Sequence, residues 1–342
     1  MIKPTIAIAL ERVPRKSRIQ VRLFADPIRE SIFTSLNSAI DHHRTDQLFA
    51  TASNIVQLWD ETKLVSLFPS ANHQTDNTNR SSPISDLTFP TSNETVTALR
   101  FNLAESSILA TTGTDRTLTL YDIRTGKAER RLVMQMRANA LSWSPTFPTT
   151  LLLASEDHNL YTFDVRSLSN PTQIYKGHVA AAMSCGWSPT GQEFVSGGWD
   201  RTVRIWKAGE GTRPVVYTGK RMQRVFATTY TQDARFVLSG SDDGNVRLWK
   251  ARASEKLGVV EGRERASKEY RDRLRERWVM DKEVARIERQ QNLPVAVKKA
   301  GQLKRTMLDA RAVKEERRRK HTRAGASKPK AERKKVVVVE QT

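Results

Sequence analysis

The sequence predicts an all-β propeller, built from repeated four-stranded sheets, followed by a basic α-helical C-terminal extension. Three observations predict it: a recurring apolar–turn–aromatic pattern, an aspartate at a constant offset in that pattern, and a shift to charged, helix-period sequence after Trp249.

Five segments end alike, with an apolar run, a tight polar turn, alternating residues and an aromatic. They are Leu48 to Asp60, Ile108 to Asp122, Leu151 to Asp164, Phe194 to Lys207 and Phe236 to Lys250. The closing aromatics Trp59, Tyr121, Phe163, Trp206 and Trp249 are separated by 62, 42, 43 and 43 residues. A step of roughly 40–45 residues is the period of WD repeats, which contribute four strands to each blade. The longer first step contains Phe68 to Asn93, rich in Ser, Thr, Asn and Pro, and reads as an inserted surface loop.

Asp115, Asp157, Asp200 and Asp243 each stand six residues before their aromatic. A short polar residue there, between period-2 strands, predicts a hairpin turn in which the carboxylate bonds the backbone. In the fourth repeat, Gly177-His178 precedes Trp206 by 28 residues, so His178, Ser196, Asp200 and Trp206 form a candidate buried structural network. His178 therefore reads as structural rather than catalytic. The first repeat departs, with Ser53 at the aspartate position and a turn one residue shorter.

Propellers close with four to eight blades, and five are recognisable here. Residues 1–32 offer only the start of a further strand set, such as Ile19 to Phe24. An open five-blade array would expose sheet faces and unpaired edges, so the sequence reads as truncated at its N-terminus from a longer propeller, the alternative being first blades that have diverged past recognition. The expected organisation is an N-terminal segment or partial blade at 1–32, the WD-repeat propeller at 33–250, and a basic helical domain at 251–342.

Charge divides along the same boundary. Residues 251–342 hold 28 Lys and Arg against 14 Asp and Glu, while the first 250 hold 29 against 23. A basic appendage on a nearly balanced domain points to nucleic acid or an acidic partner. From Glu261 to Gln291 the spacing of Tyr270, Leu274 and Trp278, continued by Val284 and Ile287, predicts an amphipathic helix whose stripe docks on the propeller or a neighbour. Asn292-Leu293-Pro294 ends it and opens a second helix to about Lys320. In that helix Val297, Leu303, Met307, Leu308 and Val313 alternate with basic side chains. The candidate contacts for RNA or an acidic partner are Lys298, Lys299, Lys304, Arg305, Arg317, Arg318, Arg319 and Lys320. Phosphate neutralisation by such an array is sequence-independent and salt-dependent. Arg333-Lys334-Lys335, after a Gly/Ala/Ser/Pro linker, is a further basic cluster and a nuclear-import candidate.

Nothing reads as catalytic. The chain lacks GxxxxGK[ST], GxSxG, HExxH and Cys/His clusters at metal spacing, so no cofactor or metal is expected. His42-His43 read as surface histidines in a polar loop. The lone Cys185 leaves no internal disulfide framework and suggests a reducing compartment. Ile6 to Leu10 is too short for a signal-peptide core, and no stretch approaches the roughly 20 apolar residues of a membrane span, so the chain reads as soluble.

Four stretches carry a more specific signal: MQMRANALSW (Met134 to Trp143), EDHNLYTFDVRSL (Glu156 to Leu168), KRMQRVF (Lys220 to Phe226) and SGSDDGNVRLWKARA (Ser239 to Ala253). In this order, followed directly by a charged helical tail, they closely resemble the Sof-like WD-repeat family over about Phe24 to Lys335. The first 20 residues do not match it. The resemblance implies a seven-bladed family norm, beginning upstream of this Met1. It also implies a non-enzymatic role in the nucleolus (nucleus), within the small-subunit processome that matures pre-rRNA. Its partners would be pre-rRNA, small nucleolar ribonucleoprotein components and processome proteins, with no membrane. A second role is suggested by the consecutive boxes Tyr121-Asp122-Ile123-Arg124 and Phe163-Asp164-Val165-Arg166. Similar boxes occur in WD substrate receptors of cullin–RING ubiquitin ligases, which makes Arg124 and Arg166 candidate adaptor-docking residues. The plainer alternative is that both arginines simply cover blade edges.

Overall fold

A computed structural model describes residues 39–60, 85–87, 95–211, 214–253, 255, 258, 261–289, 294–323, 326 and 331–341. The expected strand set at Ile19 to Phe24, the N-terminal apolar run and the Gly/Ser/Pro linker before Arg333 lie outside these residues, apart from Arg323 and Ala326 at the linker's start.

Five antiparallel sheets are built in chain order. The first contains β1 (Ala39–His42), β2 (Leu48–Ala52), β3 (Val56–Asp60) and β4 (Ser85–Leu87). The second contains β5 (Val96–Phe101), β6 (Ile108–Gly113), β7 (Thr117–Asp122) and β8 (Lys127–Met134). The third contains β9 (Ala138–Trp143), β10 (Thr150–Ser155), β11 (Asn159–Asp164) and β12 (Gln173–Lys176). The fourth contains β13 (Ala182–Trp187), β14 (Glu193–Gly198), β15 (Val203–Lys207) and β16 (Val215–Tyr217). The fifth has β17 (Val225–Tyr230), β18 (Phe236–Ser241) and β19 (Val246–Lys250). The stretch from Phe68 to Asn93 is not loop throughout, because β4 arises within it and pairs with β3 as the fourth strand of its sheet.

Each predicted repeat closes on the third strand of a sheet, since Trp59, Tyr121, Phe163, Trp206 and Trp249 lie in β3, β7, β11, β15 and β19. The sequence step from one aromatic to the next therefore takes the outer strand of one sheet with the inner three of the next. After Lys250 this series stops, and among the described residues the fifth sheet has three strands.

The four aspartates occupy equivalent hairpins. Each accepts the backbone N–H two residues on: Thr117 at 3.1 Å, Asn159 at 3.1 Å, Thr202 at 3.2 Å and Asn245 at 3.4 Å. The intervening residue is left-handed every time, at Arg116 (φ 65°), His158 (73°), Arg201 (60°) and Gly244 (75°). That conformation suits glycine and strains other residues, so the carboxylate bond helps hold a turn that three of the four sequences resist. The short first turn instead closes through Ser53 N–H to the Ile55 carbonyl at 3.1 Å.

Inner strands pack in series, β1 on β5, β5 on β9, β9 on β13 and β13 on β17. Polar side chains bridge the apolar seams. The Thr97 hydroxyl donates to the Ala138 carbonyl at 2.9 Å, Asn139 Nδ2 to the Ala182 carbonyl at 2.9 Å, and the Thr228 N–H to Ser184 Oγ at 2.9 Å. Between sheets two and three the core is Leu118, Leu132, Leu141, Trp143, Leu151 and Phe163; between three and four it is Leu152, Tyr175, Phe194 and Trp206. At the end of the series Phe226, Val246 and Leu248 of the fifth sheet are exposed, as is Ile40 in the first.

His43 is not a surface histidine. It is only 2% exposed, and its ring packs edge-on against Phe101 with centroids 5.2 Å apart. Asp46 N–H donates to its Nδ1 at 2.9 Å, so Nε2 carries the proton that reaches the Ser106 carbonyl at 2.8 Å. A polar neighbourhood in sequence concealed this burial, because the partner carbonyl lies 63 residues away. His42 ends β1, and its Nδ1 lies 2.6 Å from the His43 carbonyl.

Candidate nucleic-acid interface

The arm begins with α1 (Gly262–Arg277), α2 (Lys282–Arg289) and α3 (Val295–Lys320). The single helix expected from Glu261 to Gln291 is broken at Trp278 to Met280. Asp281 starts a new helix there: its carbonyl accepts Ala285 N–H at 3.0 Å and its carboxylate accepts Glu283 N–H at 3.4 Å. The apolar stripe is not docked on the propeller. Tyr270, Leu274, Trp278 and Ile287 are exposed, with Val284 half-buried. Pro294 precedes α3 as expected, its carbonyl accepting Lys298 N–H at 3.0 Å.

Along α3, Lys298, Lys299, Arg305, Arg317 and Arg318 are exposed and have no carboxylate partner among the described residues. Arg319 and Lys320 pair with Glu315 and Glu316 one turn back, at 3.2 and 3.1 Å. Exposed pairs of this kind contribute little and exchange readily for other anions. Lys304 differs from the other seven candidates. It is half-buried, its ammonium donates to the His178 carbonyl, and burial followed by the nearby Arg204 lowers its pKa. Lys304 thus anchors the helix instead of joining the free array.

Beneath it lies the expected network around His178. Trp206 Nε1–H donates to Ser196 Oγ at 2.8 Å, Ser196 donates to His178 Nε2 at 2.6 Å, and His178 Nδ1–H donates to Asp200 at 3.0 Å. Arg204 Nη2 and the Thr202 hydroxyl also donate to Asp200, at 3.3 and 2.7 Å. Burial lowers the His178 pKa and keeps the ring neutral. Burial alone would raise Asp200, but the electrostatic pull and hydrogen bond of His178, the Arg204 charge and the Thr202 hydrogen bond outweigh it and hold the carboxyl below the usual range. None of its buried side-chain polar atoms is left without a partner among the described residues, so the network reads as structural. The other three aspartates are engaged similarly: Asp115 with Arg131 at 2.9 Å, Asp157 with the Tyr161 hydroxyl, and Asp243 with Arg247.

The arm returns to the propeller beyond α3. A short helix, α4 (Glu332–Val336), leads into a strand, β20 (Val337–Gln341), so residues 251–342 are not helical throughout. β20 pairs antiparallel with β8, Val337 opposite Met134 and Gln341 opposite Arg131, and adds a fifth strand to the second sheet. Val336 is buried in the core with Leu132 and Met134, while Glu332 pairs with Lys176 and Arg333 donates to Gln173 at 3.0 Å. Arg333 therefore belongs partly to an intramolecular tie. Glu332 and the Val336 to Val339 run were missed by sequence reasoning. Four consecutive β-branched residues were a usable signal for a strand.

The two aromatic–Asp–x–Arg boxes share one geometry. Asp122 accepts Arg124 N–H at 2.9 Å, and Asp164 accepts Arg166 N–H at 3.0 Å. Both arginine side chains are exposed, Arg124 at 80%. Arg130 of β8 donates to the carbonyls of Val165 and Arg166, at 3.1 and 3.0 Å, bracing the second box against the preceding sheet. Because hairpin turns alternate, these boxes lie at the end of the sheets opposite the aspartate turns and the Lys304 anchor. Among the described residues there is no group of three or more His, Cys, Asp or Glu arranged to hold a metal, and no helix long and apolar enough to cross a membrane.

Comparison with known proteins matches residues 251–337 to a Sof1-like domain and residues 169–207 and 213–250 to the WD domain, G-beta repeat. The chain is 39% identical over 284 residues to Protein SOF1 of Saccharomyces cerevisiae, covering 82% of this chain and 54% of that protein. It is 37% and 35% identical over 313 residues to the DDB1- and CUL4-associated factor 13 of Danio rerio and of Homo sapiens, covering 92% of this chain and 66% of each relative. The chain thus spans between half and two thirds of the length of these relatives.

Proposed function

Because the chain belongs to the Sof-like WD-repeat family, we propose that it is a non-catalytic scaffold in small-subunit ribosome biogenesis, acting in the nucleolus. In this reading the propeller holds processome proteins and the arm holds pre-rRNA and its small nucleolar ribonucleoproteins. The observation that carries the proposal is the line of α3 cations, Lys298, Lys299, Arg305, Arg317 and Arg318, exposed and without carboxylate partners among the described residues. Unpaired cations along one helix suit a phosphate backbone, whose neutralisation releases counterions. Ultraviolet crosslinking in cells tests it: pre-rRNA should be recovered through α3, and recovery should fall when these residues are changed to Gln. Recovery of no pre-rRNA would overturn the reading.

A second reading has its own support. The exposed Arg124 and Arg166, each following an aspartate that accepts its backbone N–H at the opposite end of the sheets, suit a protein partner, and two relatives are named for association with DDB1 and CUL4. Under this reading the chain is a substrate receptor of a cullin–RING ligase. Co-purification of DDB1 should be lost with Arg124→Ala and Arg166→Ala together, and unchanged co-purification removes the reading.

A further inference from the structure

The propeller end that carries the aspartate turns also carries an indole and four cations used by neither network described above. Trp199 sits in the β14–β15 turn between Gly198 and Asp200, its backbone N–H held by the Ala181 carbonyl at 2.9 Å. The indole is 42% exposed, and its Nε1–H makes no hydrogen bond among the described residues. The Arg224 guanidinium carbon lies 4.2 Å from the ring centroid.

The loop joining β16 to β17 is fastened beside this turn. Met222 is buried, the Thr218 hydroxyl donates to the Arg201 carbonyl at 3.1 Å, and the Arg224 carbonyl accepts Asp242 N–H at 2.9 Å. With Met222 turned inward, Lys220, Arg221 and Arg224 are left exposed together with Arg201, and none has a carboxylate partner among the described residues. One exposed carboxylate, Asp242, stands in the neighbouring turn. Four exposed cations against one exposed carboxylate leave a local excess of positive charge that suits a polyanion. Charge alone would accept any polyanion. The exposed indole, backed by a planar guanidinium, adds a stacking surface that suits an unpaired base.

We propose that Trp199 and Arg224, with Arg201, Lys220 and Arg221, form a binding site for single-stranded RNA, in which one unpaired base stacks on the indole and the cations follow the backbone. The proposal rests on the reading of the arm as an RNA contact and deepens it. Lys304 brings α3 to the same end of the sheets, within electrostatic reach of Asp200, the residue that follows Trp199.

Fluorescence anisotropy with a short labelled oligouridylate and the full chain tests this. Trp199→Ala should weaken binding about tenfold at constant salt without changing the salt dependence, while Trp199→Phe stays close to wild type. Changing Arg201, Lys220 and Arg221 together to Gln should lower the slope of log affinity against log salt by about 2. An RNA duplex of equal length should be indifferent to Trp199→Ala. The proposal is overturned if Trp199→Ala binds the oligouridylate like wild type, if the duplex loses as much as the single strand, or if polyglutamate competes as well as RNA, which would mark an acidic protein partner. Changing the five free α3 cations to Gln separates the two readings. Loss only in that variant overturns the Trp199 site, and loss only in Trp199→Ala supports the site while overturning the arm.

Discussion

The ammonium of Lys304, in the middle of α3, donates to the backbone carbonyl of His178, in the loop between the third and fourth sheets. A basic helix is thereby pinned to the loop that supplies His178 to the buried polar network of Ser196, Asp200 and Trp206. The pin has opposing parts, since a charge-assisted hydrogen bond contributes about 1.5–3 kcal/mol while burial of the ammonium costs a comparable amount. Lys304→Ala should therefore change global stability by less than about 1 kcal/mol, yet speed amide exchange along α3. Unchanged exchange would show that the contact does not hold the helix.

His178 predicts a pH dependence. Its folded-state pKa lies below the ordinary 6.5 because burial disfavours the imidazolium, with Asp200 opposing this and Arg204 and Lys304 adding to it. The unfolded chain therefore binds the proton more readily, and stability is full above 6.5 and declines as pH falls below it. Asp200, held below its ordinary 3.8, adds a further loss in stronger acid. Urea denaturation across mildly acidic pH checks this, and stability that rises on acidification through 6.5 would contradict it.

β20 covers the otherwise open edge of β8 and buries Val336. Val339→Pro removes a ladder donor and should detach the strand, with a stability loss of about 1–3 kcal/mol and a gain in self-association at the uncovered edge. Denaturation midpoints and light scattering read the two effects. A variant as stable and as monomeric as wild type would mean that the strand is dispensable.

Arg116, His158 and Arg201 occupy the left-handed position that Gly244 fills in the fifth sheet. Arg116→Gly should relieve strain of about 1–2 kcal/mol and give back part of it as unfolded-chain entropy, for a net gain of about 0.5–1 kcal/mol. A lower melting temperature would show that the arginine side chain contributes more than the strain it bears.

Burial pushes the Cys185 thiol up to about 12 and leaves it 8% exposed. It should resist alkylation at mildly alkaline pH until the protein unfolds, because the thiolate is the reactive form. Rapid labelling of the folded protein, followed by mass spectrometry, would contradict the packing between the third and fourth sheets.

The sheets were legible in sequence because four of the five repeats state the same physics: an aspartate for the turn, an aromatic to close the third strand, and a constant distance between them. The network from Trp206 to Asp200 was legible for the same reason, since its members sit at fixed offsets. Long-range contacts without a repeated spacing were not. His43 finds its carbonyl at Ser106, and Lys304 finds His178 across 126 residues. The break before Asp281 was hidden because Trp278 continues the apolar spacing of Tyr270 and Leu274, and no Pro or Gly marks the stop. The pairing of Trp199 with Arg224 joins a turn to the following loop, and only the fold places them together.

The central claim is that the free cations of α3 hold a phosphate backbone. The salt dependence of RNA binding by the full chain tests it most directly, comparing wild type with a variant carrying Gln at Lys298, Lys299, Arg305, Arg317 and Arg318. With about 0.7 counterions released per phosphate on a single strand, the log–log slope should fall by about 3.5 in the variant. An unchanged slope would mean that the arm does not touch the RNA.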